Sequence, residues 1–200
     1  MLSEKRAGHA EALLDALAAA ALLLTGGGRV AHMNRAAAQL VGAADGLRIE
    51  AGGLTTSDAA HAVPFHRFLD AASRTAPGAG SGIALPRADG RPPLQVLATP
   101  LAGIGAPGAE PALVVLAADP LGVVCLPDAV LRALYGLTPA EIEIANGLLA
   151  GYSIEEIAAR RQVTVGTARQ QLKRTLHKTG SARQSDFVRR LMSLPRFRMP

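Results

Sequence analysis

Residues 137–191 run LTPAEIEIANGLLAGYSIEEIAARRQVTVGTARQQLKRTLHKTGSARQSDFVRRL, a stretch in which helix starts and stops follow one another closely. Thr138-Pro139-Ala140-Glu141 opens it. A threonine cap, a proline in the first turn where its missing N–H costs nothing, and a glutamate reaching back to the cap start a helix together. Ile142, Ala145, Leu148 and Leu149 then recur at helical spacing, and Gly151 ends the helix. Ser153-Ile154-Glu155-Glu156 repeats the box and opens a short helix holding Ile154, Ile157 and Ala158. After the turn from Arg160 to Val163, Thr164 caps a third helix with Val165, Ala168, Leu172 and Leu176 along its back and Gly180 at its end. Ser181-Ala182-Arg183-Gln184 reads as a third box, opening a helix with Phe187, Val188, Leu191 and Met192. Short helices with tight connections imply a compact trihelical core plus one extra helix.

The third helix carries the chemistry. With its apolar back turned inward, Arg169, Gln170, Gln171, Lys173 and Arg174 make a basic, amide-rich front. Arginine can form two bonds to guanine and glutamine two to adenine, while lysine and arginine neutralise phosphates. The charge balance points the same way. Residues 1–136 hold 10 basic and 11 acidic side chains, whereas residues 137–200 hold 11 basic and 5 acidic. Such asymmetry suits a polyanion partner for the second part alone.

The segments LTPAE, AGYSIEEIA, VTVGTARQQL and KTGSARQ, in this order and spacing, resemble the LuxR/GerE helix-turn-helix family from Leu137 to about Leu191 without a gap. Leu137, Thr138, Glu141, Gly151, Ile157, Ala158, Thr167, Lys178 and Arg183 fall on the family pattern. Ala168 stands where the family usually has valine, and Gln171 where many members have histidine. The resemblance implies a dimeric transcription regulator whose helix from Thr164 to His177 enters the major groove of duplex DNA. It implies that Arg169, Gln170, Lys173 and Arg174 face the DNA, with Thr167 and Lys178 near phosphate. It further implies that the last helix pairs two protomers through Phe187, Val188 and Leu191. RNA polymerase is a prospective partner of such a regulator.

The first part has another texture. Glycine and proline punctuate residues 76–122, and the runs Gly82–Leu85, Leu94–Leu101 and Ala112–Ala117 between them have strand length. Upstream, ALLLT and RVAHM flank three glycines and read as a hairpin. Asn34 is placed to cap a short helix after it, and Ser57 a longer one over Asp58 to Ser73 that Pro64 bends or breaks. The apolar stretch Ala12–Leu24, interrupted by Asp15, is too short to span a membrane and reads as an amphipathic helix running into a strand. The expected sheet has about five antiparallel strands with helices on one side. This order, with GRVAHMNRAA and the LPRADGRPPLQV hairpin, resembles a PAS sensor domain.

The whole chain is therefore expected to be α+β. A PAS-like sensor occupies residues 11–119, a linker helix 120–136, and an all-α helix-turn-helix domain of four helices 137–193. The resemblance leaves room for a small-molecule signal in the sensor. Other sensors fit less well. A receiver domain needs a lysine late in its sheet, and residues 1–120 hold none after Lys5. A lactone pocket of the LuxR kind would be expected to carry tryptophan, and the chain has none.

Two rival classes stay in view: an adaptor that uses PAS pairing alone, and a nucleotide-binding enzyme. The enzyme reading rests on Gly26, Gly28 and Ala31 after an apolar strand, with Glu50 downstream. The helix that such a fingerprint needs does not start in that loop, and a hairpin turn is the simpler account. No H-E-x-x-H or G-x-S-x-G motif occurs, so no catalytic residue, metal ligand or cofactor is assigned. His32, His61 and His66 read as solvated or packed rather than ligating. Cys125 is the single cysteine, which excludes an intrachain disulfide and suits a cytoplasmic protein. Within LGVVCL it is expected as a small buried hydrophobe.

Overall fold

The first apolar run and the one that follows the glycines fold back on each other: β1 (Ala20–Leu24) pairs antiparallel with β2 (Val30–Met33). Gly28, at φ +74°, takes the left-handed turn between them, so the Gly-x-Gly fingerprint is a hairpin loop. In this computed structural model the described residues are 11–76, 78–87, 90–101, 112–122 and 125–194. They divide into two compact units, one up to Gly122 and one from residue 123 onward.

In the first unit β2 leads into α1 (Arg35–Gly42), then β3 (Leu47–Glu50), β4 (Gly53–Thr56), a short 3-10 turn (Ala59–His61) and α2 (Ala62–Ser73). Strands β5 (Ser81–Leu85), β6 (Leu94–Leu101) and β7 (Ala112–Ala118) complete it. The sheet order is β2-β1-β7-β6-β5, every neighbouring pair antiparallel. This is the expected PAS-like five-stranded sheet with helices. Alternation along β6 shows how it is built: Leu94, Val96 and Ala98 are buried while Gln95 and Leu97 face out. The inner face packs with Phe65 and Leu69 of α2 and Leu54 of β4 into the main core.

Several details differ from the sequence reading. Helices lie on both faces of the sheet rather than one, because Leu14 in the helical residues 11–16 packs on Ala21, Leu23 and Val114 on the outer side. The hairpin β3–β4 forms a separate pair of strands. Its turn, Ala51-Gly52, has positive φ at both positions, and alanine there disguises it. Asp58, not Ser57, caps the 3-10 turn by accepting from the Ala60 N–H at 2.9 Å. Pro64 sits in the first turn of α2, where no helical hydrogen bond is lost, so it breaks nothing.

Two polar hubs brace this unit. Arg87, its side chain buried, pairs with Asp45 and, at 2.8 Å, with Asp119 just after β7. The Arg87 guanidinium holds both carboxyls below their usual range. The other hub is Asn34, 1% exposed. Its Nδ2 donates to the carbonyls of Leu14, Leu17 and Ala19, and its Oδ1 accepts from Ala21 and Ala37. One amide thus caps α1 and also fixes how the chain enters β1.

The second unit is all helical: α3 (Asp128–Tyr135), α4 (Pro139–Leu149), α5 (Ile154–Arg160), α6 (Val165–Thr179) and α7 (Gln184–Met192). The boxes at Thr138 and Ser153 form as expected, with Glu141 and Glu156 accepting from the cap N–H groups at 2.8 and 2.7 Å. The third does not. Arg183 occupies the cap position without a side-chain capping bond, and the Ser181 hydroxyl turns to that of Thr179 at 3.0 Å. The connecting helix α3 shares this unit's core, since Leu126 and Leu131 are buried with Leu137, Ile144 and Phe187. Cys125, by contrast, is exposed, and Leu126 takes the inward place expected of the cysteine.

Replacing Asn34 by alanine strands buried backbone groups at both ends of a five-bond network. Asn34→Ala is expected to destabilise the first unit by about 2–4 kcal/mol. Chemical denaturation followed by hydrogen exchange should show the loss in residues 11–122, with the helical unit unchanged.

Candidate nucleic-acid interface

Helices α5 and α6 are joined by Arg161, Gln162 and Val163, and Gln162 takes the left-handed conformation at φ 54°. The Val163 N–H bonds back to the Ala158 carbonyl, closing the turn. Thr164 then caps α6 by accepting from the Thr167 N–H at 3.1 Å. At Gly147 the helices α4 and α5 approach closely: a Cβ there would lie 2.7 Å from Ile157. These contacts fix a helix-turn-helix in which α6 presents one side to solvent.

That side holds most of the expected residues. Thr167, Arg169, Gln170, Lys173, Arg174 and His177 are all exposed. Gln170, Gln171, Lys173, Arg174, His177 and Lys178 line one wall of a groove of about 600 Å³, and Thr138, Ala140 and Glu141 at the start of α4 line the other. Arg169 stands to the flank and pairs with Glu155 of α5 at 2.8 Å. Both partners are more than half exposed, so the pair contributes little and releases the guanidinium readily. The Thr167 hydroxyl lies 2.9 Å from that of Thr164.

Other expected residues are engaged by partners within the unit. Gln171 is half-buried and accepts from Arg161 Nη1 at 2.6 Å, so its amide braces the turn at the edge of the groove. Lys178 bonds the Glu141 carboxylate at 2.7 Å and the Gly136 carbonyl at 3.0 Å. Phe187 and Leu191 are fully buried in the core of their own unit. As pairing residues they must therefore be set aside; Val188 is half-buried against the same core, and Met192 is the exposed apolar group of α7.

The sequence reading missed two members of the inner face. Thr175 and Thr179 are buried, and their hydroxyls donate to the carbonyls of Gln171 and Thr175 at 2.9 Å each. Continuing the spacing from Ala168 through Leu172 reaches both positions, but threonine there does not register as apolar.

In the first unit, Leu24, Leu54, Leu69 and Leu113 floor a cavity of about 440 Å³, with Glu50, His66 and Asp70 among its polar walls. The histidines are dispersed: His32 pairs with Asp15 and His61 with Asp58. Among the described residues no cluster of three or more His, Cys, Asp or Glu is placed to hold a metal ion. Nor is any helix among them long and apolar enough to cross a membrane.

No protein-family model matches the chain, and no curated protein matches it. Solved structures do. A phage VqmA bound to DPO has 17% identity and a TM-score of 0.45, covering 98% of this chain and 94% of that one. A Vibrio cholerae VqmA dimer without target DNA, presented with the DNA-binding mechanisms of LuxR-type receptors, has 15% identity and a TM-score of 0.37, covering 96% and 94%. The PAS domain of Bordetella pertussis BvgS has 17% identity and a TM-score of 0.43, covering 66% of this chain and 96% of that one. With such identities and TM-scores these structures stand as likenesses only.

Glu141 gives the interface a pH limit. Burial pushes its carboxyl up, but the bonds from Lys178 and Thr138 outweigh that and hold it below its ordinary 4.5. A carboxylate lowered on folding adds stability that is complete above its unfolded value and is lost as pH falls through the folded one. The helical unit is therefore expected to lose stability below about pH 4.5. Acid titration of Glu141→Gln, followed by circular dichroism, should show a flatter decline than the parent.

Proposed function

We propose that this protein is a sequence-specific DNA-binding transcription regulator, with α6 as the helix that enters the major groove. The observation that carries the reading is the exposed set Thr167, Arg169, Gln170, Lys173 and Arg174 on the second helix of a helix-turn-helix. Excess positive charge is confined to the same part of the sequence, with 11 basic against 5 acidic residues in 137–200. Arg169 and Gln170, near the start of α6, are the base readers in this assignment, and Lys173 and Arg174 contact phosphate. The protein works in the cytoplasm as a homodimer whose pairing surface excludes Phe187 and Leu191.

The first unit regulates rather than catalyses. Its cavity, of about 440 Å³, has the size and the mixed lining of a small-molecule site. A signal molecule bound there would alter DNA binding and, through it, access of RNA polymerase.

Selection of bound duplexes from a randomised pool tests the reading. The full chain should enrich one sequence with two related half-sites, and affinity should fall steeply with salt as phosphate contacts release counterions. Arg169→Ala should cost about 1–3 kcal/mol on the selected duplex and flatten preference at one base pair, with folding intact because the side chain is exposed. Absence of duplex binding at low salt would refute the proposal, and full retention of sequence preference in Arg169→Ala would refute the assignment of that residue.

A further inference from the structure

Lys178 belongs to the last turn of α6, on the helix assigned to DNA, and lines the same groove, yet its ammonium is engaged by two protein partners. The side chain is 34% exposed, and its partner Glu141 is 5% exposed. One carboxylate oxygen, Glu141 Oε2, accepts from the Thr138 backbone N–H at 2.8 Å and from Lys178 Nζ at 2.7 Å. The same Nζ donates to the Gly136 carbonyl at 3.0 Å. Gly136 is the left-handed cap that ends α3, with φ 62°. Three elements therefore meet at one ammonium: the end of the connecting helix, the capping box of α4, and the end of α6. Lys173 and Arg174, a little over one turn earlier, and the adjacent His177 are exposed along the same groove.

We propose that Lys178 is a positioning residue, which sets the angle of α6 against α3 and α4 and does not touch DNA. This rests on the DNA-binding reading above. Three arguments support it. Moving Nζ out to a phosphate would leave a buried carboxylate without its cation, which is costly. The bond to Gly136 uses a carbonyl that the end of a helix leaves without an intrahelical partner. Finally, both anchors lie outside α6, so the bond constrains the helix as a body rather than its internal turns. A displacement of α3 would reach the exposed row of α6 through this ammonium.

The full chain carrying Lys178→Met, Glu141→Gln or both is compared with the parent on two duplexes, one selected from a randomised pool by the parent and one of scrambled sequence. Affinities are corrected for active fraction by stoichiometric titration and measured across a salt series. For Lys178→Met the ratio of selected to scrambled affinity should fall about tenfold, near the lower range of one bidentate base contact, with the salt slope unchanged. The double variant should unfold more easily than the parent but by less than the sum of the single effects, since no buried charge is left unpaired. A slope reduced by about one on both duplexes, with the ratio kept, would identify Lys178 as a phosphate contact and overturn the proposal. An unchanged ratio and slope after the correction would reduce it to a stability residue and overturn it equally. A parent that binds neither duplex would instead overturn the DNA-binding reading itself.

Discussion

Glu141 is buried and charged, and the helical unit is arranged around meeting that requirement. A carboxylate removed from water needs a cation and donors close by, because solvation lost on burial is worth several kcal/mol. Thr138 supplies a backbone N–H and Lys178 supplies the charge, so the first turn of α4 and the last turn of α6 have to lie side by side. The turn Arg161–Val163 brings α6 back across α4 and makes this possible. With these points fixed, the residues between them on α6 have their orientations set, and Gln170, Lys173 and Arg174 are outward as a consequence.

The first unit solves a comparable problem with a neutral group. Asn34 satisfies five backbone partners without any charge to desolvate, and its position between β2 and α1 ties the outer helical residues to the inner helix. Its ionic network centres on the buried Arg87, which joins the turn at Asp45 to the end of β7 at Asp119. Both hubs are buried, and each meets its own cost: the amide needs only hydrogen bonds, whereas the guanidinium needs the two carboxylates that flank it.

Much of this was legible in the sequence because the signals were local. The boxes at Thr138 and Ser153, the Asn34 cap and the glycine hairpin each depend on a few adjacent residues, and each forms. Failures came where packing chooses among neighbouring candidates or a distant partner decides. Ser181 has the spacing of a cap, but Thr179 takes its hydroxyl. Cys125 lies in an apolar run, but the inward place is taken by Leu126. Phe187 and Leu191 looked like surplus apolar surface only because the packing of α7 on α4 is not visible in the sequence of α7 alone. For the candidate site, the outward residues were legible from helical spacing. The bracing roles of Gln171 and Lys178 were not, since both are polar and their partners lie 10 and 37 positions away.

The composition of α6 explains why its setting matters. This 15-residue helix contains Val165, Gly166, Thr167, Thr175 and Thr179, all weak helix formers. Alone it would be marginal, so its order comes from tertiary contacts. Two of the threonines, Thr175 and Thr179, are fully satisfied inside, donating to carbonyls one turn back. Ala168, small and buried, lets the start of the helix approach the core closely, while Lys178 secures its end. A helix held at both ends by the domain, and only weakly by its own backbone preference, keeps its exposed row in register with the core. The reading surface is thus a property of the whole helical unit, and substitutions at its buried anchors act on the same side chains that the exposed row presents.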